Sequence, residues 1–466
     1  MKSDSGQSLL EVLIAVSVFL IVSASAVMLT SGGQDLLGDA SQETQALEYA
    51  AEGVEATRAI RDAGWAGLTD GAHGLTLSGG AWQFGGASDT RDIFTRTVTV
   101  ATVDPFTKIA TTTVRWQTDP LRPRRVDVVQ ILTSWQTASP TLCTLTGDWA
   151  HPRIIGGVDL GPGRQGTDVI ASGTIVYISS TASDGSKKDF SVFDVTNPAA
   201  PQLLGEINTG GGINEIVRRG GYVFAVSSDD SKELVVIDVR NPSAPAEVAS
   251  MNFSGEKNAN SVAYWKNYIF IGRDFSATNA ELEIVDVVNP LNPLLATELN
   301  TSASILKAYA FNNRLYHSYH ETAQEVGVRD ITNPPAAPLV ASWNIAPDDV
   351  YGMYADGDEA RFMAGTDVSN SVKYIDASNP AAPIVLGSAN VGGRVWDVFA
   401  SANFAVVGTT NANAEFQVLD VSIPPAMRVI ATINLSQIVN GISCYGNTIF
   451  AAVRSNDALQ IIGPGL

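Results

Sequence analysis

The chain has 466 residues with 41 glycines and 21 prolines, 45% of it hydrophobic and only 17% charged, a profile that excludes wholesale disorder and gives length for more than one globular core. A net charge of -19 repels phosphate backbones, and the short basic run from Arg122 to Arg125 does not reverse that field, so nucleic acid is excluded as a partner. Two cysteines, Cys143 and Cys444, make neither a disulfide scaffold nor a four-ligand zinc site.

From Val12 to Thr30 the chain carries no charge, and as a helix this stretch comes close to the ~20 residues that span a bilayer. Three readings fit its hydropathy: a plain membrane anchor, a secretory signal cut after Ala24-Ser25-Ala26, or a hydrophobic assembly helix. Glu11 stands directly against the apolar run, where an unpaired carboxylate is costly and calls for a neutralising cation. Cleavage after Gly6 supplies one, because the new amine sits on Gln7 and Glu11 becomes the fifth residue. The segment Gly6 to Thr30 thereby resembles the leader junction and assembly helix of type IV prepilins, with Gln7 standing where that family most often has Phe. The resemblance implies a leader 1–6 removed by a prepilin peptidase on the cytoplasmic side, methylation of Gln7, and residence in the inner (cytoplasmic) membrane before assembly. It also implies that Glu11 meets the methylated amine of a neighbouring pilin subunit in a filament.

The helix is expected to continue from Gln42 to Asp62, with Leu47, Ala50, Val54, Thr57 and Ile60 on one face and the pairs Glu55–Arg58 and Arg58–Asp62 on the surface. Ser31-Gly32-Gly33 reads as a kink or melted turn between the two halves. Residues 92–104, 108–118 and 125–136 are rich in Thr, Val and aromatics and predict an antiparallel meander, with turns at Asp104-Pro105 and Asp119-Pro120. LTLSGG and AWQFGG predict a hairpin at its edge.

The C-terminal two thirds repeat. FSVFDVTNPAAP, LVVIDVRNPSAP, LEIVDVVNPLNP, VGVRDITNPPAAP, VKYIDASNPAAP and FQVLDVSIPPAM place Asp194, Asp238, Asp286, Asp330, Asp376 and Asp420 in register, with Gly463 in a seventh, truncated copy. The steps are 44, 48, 44, 46, 44 and 43 residues, and each unit holds four strand signals, the pattern of a propeller blade. A linear solenoid would require capping repeats, and none is evident. The last copy lacks an outer strand, while Pro152-Arg153-Ile154-Ile155-Gly156 matches Pro201-Gln202-Leu203-Leu204-Gly205, so the N-terminal strand is expected to complete the C-terminal blade and close seven blades. The repeat resembles the LVIVD family over about residues 150–466, which implies a propeller in a surface-exposed or exported bacterial or archaeal protein.

The six repeat aspartates are read as structural, each carboxylate accepting N–H groups in the turn that follows. His317 and His320 sit three apart in a strand-like segment, which points them to opposite faces and excludes a shared metal site. With no nucleophile or metal motif in the sequence, no enzyme activity, metal or cofactor is expected. Cys143 and Cys444 are read either as a disulfide or as buried free thiols.

The resulting expectation is an α+β pilin-like region (7–136), a linker (137–150) and an all-β seven-bladed propeller (151–466). Its function would be that of a minor or tip pilin-like protein, single-pass in the membrane and then displayed at the cell surface, with the propeller adhering to a protein or glycan. A pseudopilin-like or anchored scaffold of a secretion or envelope complex, and an exported propeller enzyme, are the alternatives.

Overall fold

The computed structural model describes residues 17, 23, 40–104, 107–118, 122–133, 143–320, 324–345, 349–356, 361–367 and 371–465. The chain divides into two compact units, Met1–Ser139 and Pro140–Leu466. Apart from Ser17 and Ser23, both helical, the apolar run 12–30 lies outside the described residues, as do Ser31-Gly32-Gly33 and the turns at 105–106 and 119–121. Among the described residues no helix is long and apolar enough to cross a membrane.

In the first unit residues 40–63 form one helix, α1. Its buried face is made of Ala46, Tyr49, Ala50, Gly53, Val54, Ala56, Thr57 and Ile60, and Leu47, expected there, is 49% exposed. The reason is close approach: a β-carbon on Gly53 would stand 2.7 Å from Thr112 Cγ2 of the sheet, so small residues line the contact and the bulkier Leu47 falls outside it. Asp62 accepts from the neighbouring Arg61 at 2.8 Å. The meander forms as expected from Phe94–Asp104, Thr107–Trp116 and Arg124–Thr133. Its edge is taken by Gly71–His73 and Asp89–Arg91, while Leu75–Ser78 and Ala81–Phe84 form a separate two-stranded hairpin. Hydrogen bonds between Gly74 and the glycine pair Gly85-Gly86 close the base of that hairpin, so it stands apart from the larger sheet. Arg96, 2% exposed, locks helix to sheet through Asp89 (2.8 Å), Glu52 (3.2 Å) and the Tyr49 carbonyl (3.1 Å).

The second unit contains, among its described residues, seven four-stranded antiparallel sheets. The inner strands are Gly166–Ser172, Ile213–Arg219, Ala259–Trp265, Ile305–Phe311, Val350–Asp356, Val395–Ser401 and Val439–Tyr445, and we number the sheets one to seven in that order. In sheet two the remaining strands are Tyr222–Ser227, Leu234–Asp238 and Ala246–Met251. The third strands are buried on both faces, so Val, Ile, Leu and Phe dominate them, and polar residues within them such as Glu283 and Gln417 are buried too. Inner hairpins turn at residues held at positive φ, among them Gly173, Gly220, Asn267, Asn313, Ala402 and Gly446. The fourth strand of sheet seven is Arg153–Val158, which pairs antiparallel with Leu459–Gly463.

Outer strands meet the proline turn of the next sheet. A β-carbon on Gly156 would stand 1.8 Å from the Pro198 carbonyl oxygen, and Gly387 stands likewise to Pro424. Between sheets three and four, Thr297 donates to the Pro335 carbonyl at 2.7 Å, and between four and five Trp343 Nε1 donates to Pro380 at 2.7 Å. Residues 143–150, read as the end of a linker, are part of this unit. Leu145 and Trp149 are buried against sheet seven, and Cys143 is disulfide-bonded to Cys444 of its inner strand, with Cα atoms 5.5 Å apart.

Candidate functional site

The repeats share two positions, acidic in most of them, with different work. The marker aspartates end the third strands, and each carboxylate accepts the backbone N–H two residues on: Asp194 from Thr196 (2.7 Å), Asp238 from Arg240 (3.0 Å), Asp286 from Val288 (2.8 Å), Asp330 from Thr332 (2.8 Å), Asp376 from Ser378 (3.0 Å) and Asp420 from Ser422 (3.1 Å). These contacts turn the chain into the Asn-Pro segment. Side-chain and backbone hydrogen bonds from the turn hold Asp194, Asp376 and Asp420 below the usual carboxylate range.

A second acid stands five residues earlier and was not singled out by the sequence reading. Asp189, Glu233, Glu281, Glu325 and Glu415 are buried, and each accepts the N–H twenty residues on, from Thr209, Phe253, Thr301, Ile345 and Leu435, at 2.7–3.0 Å. They satisfy the loop that leaves each fourth strand. The signal was present, an acid immediately before each apolar third strand, with Ser371 and Ala458 as the substitutes in sheets five and seven. In sheet two Glu233 also meets Arg273 at 3.1 Å, and Arg273 bonds Glu283 at 2.8 Å, all three wholly buried; burial pushes Glu283 up to about 7 despite Arg273.

The inner strands converge on a cavity of about 310 Å³ lined by residues from all seven of them. Irregularities in register at the start of the inner strands let two consecutive residues of sheets one, two and four line it, Thr167-Asp168, Asn214-Glu215 and Leu306-Lys307, and one residue from each of the others. The second residue of the irregularity is Asp168, Glu215, Ser261, Lys307, Gly352, Asp397 and Gly441 in sheets one to seven, and of these Asp168, Glu215 and Lys307 line the cavity. Three carboxylates at this second position staple neighbouring sheets: Asp168 accepts from Ile216 N (3.0 Å), Glu215 from Val262 N (2.7 Å) and Asp397 from Ile442 N (2.7 Å). Lys307 pairs with Glu215 and lies 3.9 Å from Asp397. Burial, reinforced by Glu215 and opposed by Lys307, pushes Asp168 up to about 8, and burial raises Asp397. Burial alone would lower Lys307, yet Glu215, Asp397 and Asp168 raise it above the ordinary lysine range. The first residue of the irregularity lines the cavity in every sheet, Thr167, Asn214, Asn260 and Asn440 on one arc and Leu306, Tyr351 and Trp396 on the other. Tyr351 and Trp396 meet edge to face at 5.1 Å, and the Arg394 guanidinium lies 4.3 Å over the Tyr351 ring.

The remaining sequence candidates fall elsewhere. His317 is buried and accepts from Arg329 Nε at 3.1 Å; burial and that guanidinium push it down to about 3. His320 lies beyond the strand end, 3.3 Å from Asp349, and no metal-binding group of three or more His, Cys, Asp or Glu occurs among the described residues. Gly6, Gln7 and Glu11 lie outside the described residues.

Residues 1–27 match the family described as Prokaryotic N-terminal methylation motif, and residues 163–209, 210–252, 256–301 and 392–434 match the LVIVD repeat. No curated protein matches the chain. Among solved structures, the chain is similar to one in the Crystal Structure of Mitotic Checkpoint Complex at 10% identity and TM-score 0.52, covering 68% of this chain and 95% of that one. It is similar to the β-propeller domain of Myceliophteria thermophila Cps50 (Swd1) at 10% identity and TM-score 0.52 (67% and 99% covered) and to the WD40 β-propeller domain of Doa1 at 13% and 0.51 (67% and 97%). At such identities the likeness is one of fold alone. The chain thus carries a prepilin-type methylation motif, which implies peptidase processing and pilin-type assembly in general, and LVIVD repeats folded as propeller-like blades.

Proposed function

We propose that this protein is a pilin-like surface subunit that displays a β-propeller head for adhesion or partner binding, without catalytic activity. The observation that carries the reading is the methylation motif at residues 1–27 on the same chain as a propeller-like head. In this reading the head is one closed ring of seven blades. Its support is the pairing of Arg153–Val158 with the last sheet, the seat of Gly156 on the Pro198 turn of the first, and a cavity lined by all seven inner strands. A head of this size on every subunit would crowd a helical shaft, which favours a minor or tip position. Apolar burial and the Glu11 to amine pair would hold the helix in the filament core.

The test is the mature N-terminus, read by mass spectrometry from cells with and without the prepilin peptidase, together with the sheared filament fraction. A methylated Gln7 that depends on the peptidase, in a chain recovered with filaments, is the expected result. The same N-terminus in a chain confined to the envelope would assign it to a secretion or envelope complex. A chain beginning at Met1 or Val27 would overturn the pilin pathway.

A further inference from the structure

We propose that the cavity at the convergence of the inner strands binds a sugar ring, the end residue of a glycan; this rests on the head being a ligand-binding one. Its volume of about 310 Å³ stands at the lower end of the ~300–1,000 Å³ of small-molecule sites, which suits one ring and not an extended chain. The lining decides the chemistry. Two buried polar atoms on adjacent sheets, Trp396 Nε1 and Asn440 Oδ1, have no protein hydrogen-bond partner.

An indole N–H only donates, so an ammonium, which brings donors alone, would leave it unpaired. The Asn440 amide oxygen and the Glu215 carboxylate accept, and they disfavour phosphate, which brings acceptors and negative charge. A hydroxyl does both, and a pyranose presents hydroxyls around an apolar ring. Across the cavity from the amide arc stand Leu306, Tyr351 and Trp396, which give that ring an apolar wall, and Arg394 packed on Tyr351 fixes the wall in place. Lys307, held by Glu215, adds a charged donor to the lining.

The full chain in detergent micelles would be titrated with the methyl pyranosides of glucose, galactose, mannose and N-acetylglucosamine by saturation-transfer NMR. Butylamine and inorganic phosphate serve as cationic and anionic probes. At least one pyranoside is expected to bind saturably. Trp396→Phe, which removes the donor and trims the indole to a single ring, and Asn440→Ala, which removes only the amide, should each weaken it at least about tenfold, the loss of one hydrogen bond. Thermal midpoints of the variants report whether the fold is kept, and the indole N–H resonance lost in Trp396→Phe should be the one that shifts on binding in the parent. Binding of butylamine or phosphate but no pyranoside, no binding at all, or sugar binding indifferent to both substitutions would overturn the proposal. Because the readout does not involve the N-terminus, a head that binds sugar on a chain left unprocessed at Gln7 would sink the pilin reading alone.

Discussion

Glu415 shows how much of the head rests on single buried carboxylates. Its Oε2 accepts from Leu435 N at 2.8 Å, and Glu415→Ala would strand that donor, at a cost of about 1–3 kcal/mol. Glu415→Gln keeps an acceptor and should cost less, and denaturant unfolding of both variants measures the difference. Asp168 makes a prediction of opposite sign to the usual carboxylate. It keeps its proton up to about pH 8 in the fold but would release it in the ordinary range near ~4 when unfolded. The native state therefore binds more protons between those values, and stability falls as pH rises through that window. Glu283, raised to about 7, acts in the same direction, whereas carboxylates held low, such as Asp89 and Asp420, act only below it. The thermal midpoint should decline from about pH 5 to about pH 8, and Asp168→Asn should flatten the decline; an unchanged slope would remove Asp168 as its source.

At the scale of elements, the contact between outer strand and neighbouring turn is the joint on which the ring reading depends. Gly156→Ala places a methyl against the Pro198 carbonyl, so unfolding should shift by about 1–3 kcal/mol, the cost of overpacking. If Gly156→Ala is neutral, the strand is not seated on the first sheet in solution. The disulfide between Cys143 and Cys444 fastens the segment just ahead of that strand to sheet seven across a sequence separation of 301. Replacing both by Ser should cost about 2–5 kcal/mol, seen as a shift in denaturant midpoint that reductant reproduces in the parent. Strands of the repeat were legible because a doubly buried third strand is predominantly apolar between turn residues, most fully in Leu234–Asp238. The helix face was misjudged at Leu47, because hydropathy ranks Leu above the Ala and Gly that close approach selects. The cavity was not legible: its lining comes from local register irregularities in seven strands, and Asn214, Asn260 and Asn440 look like ordinary strand-end polar residues until those irregularities align them.

For the whole molecule, the two halves of the chain make separable demands. The head is joined by hydrogen bonds and apolar packing within residues 143–465, whereas the N-terminal motif acts through a charge that has no use in the head. Glu11→Ala should therefore leave cleavage after Gly6 and the fold of the head intact. It should lower recovery of the protein in sheared filaments at least about tenfold, since loss of one buried ion-pair partner leaves the methylated amine uncompensated, at a cost of about 3–5 kcal/mol. Quantifying the protein in the filament and envelope fractions of cells expressing parent and variant checks this. Equal recovery in filaments would mean that apolar burial alone drives assembly and that the acid serves some other step. Loss of the processed chain from both fractions would instead place Glu11 in recognition by the peptidase.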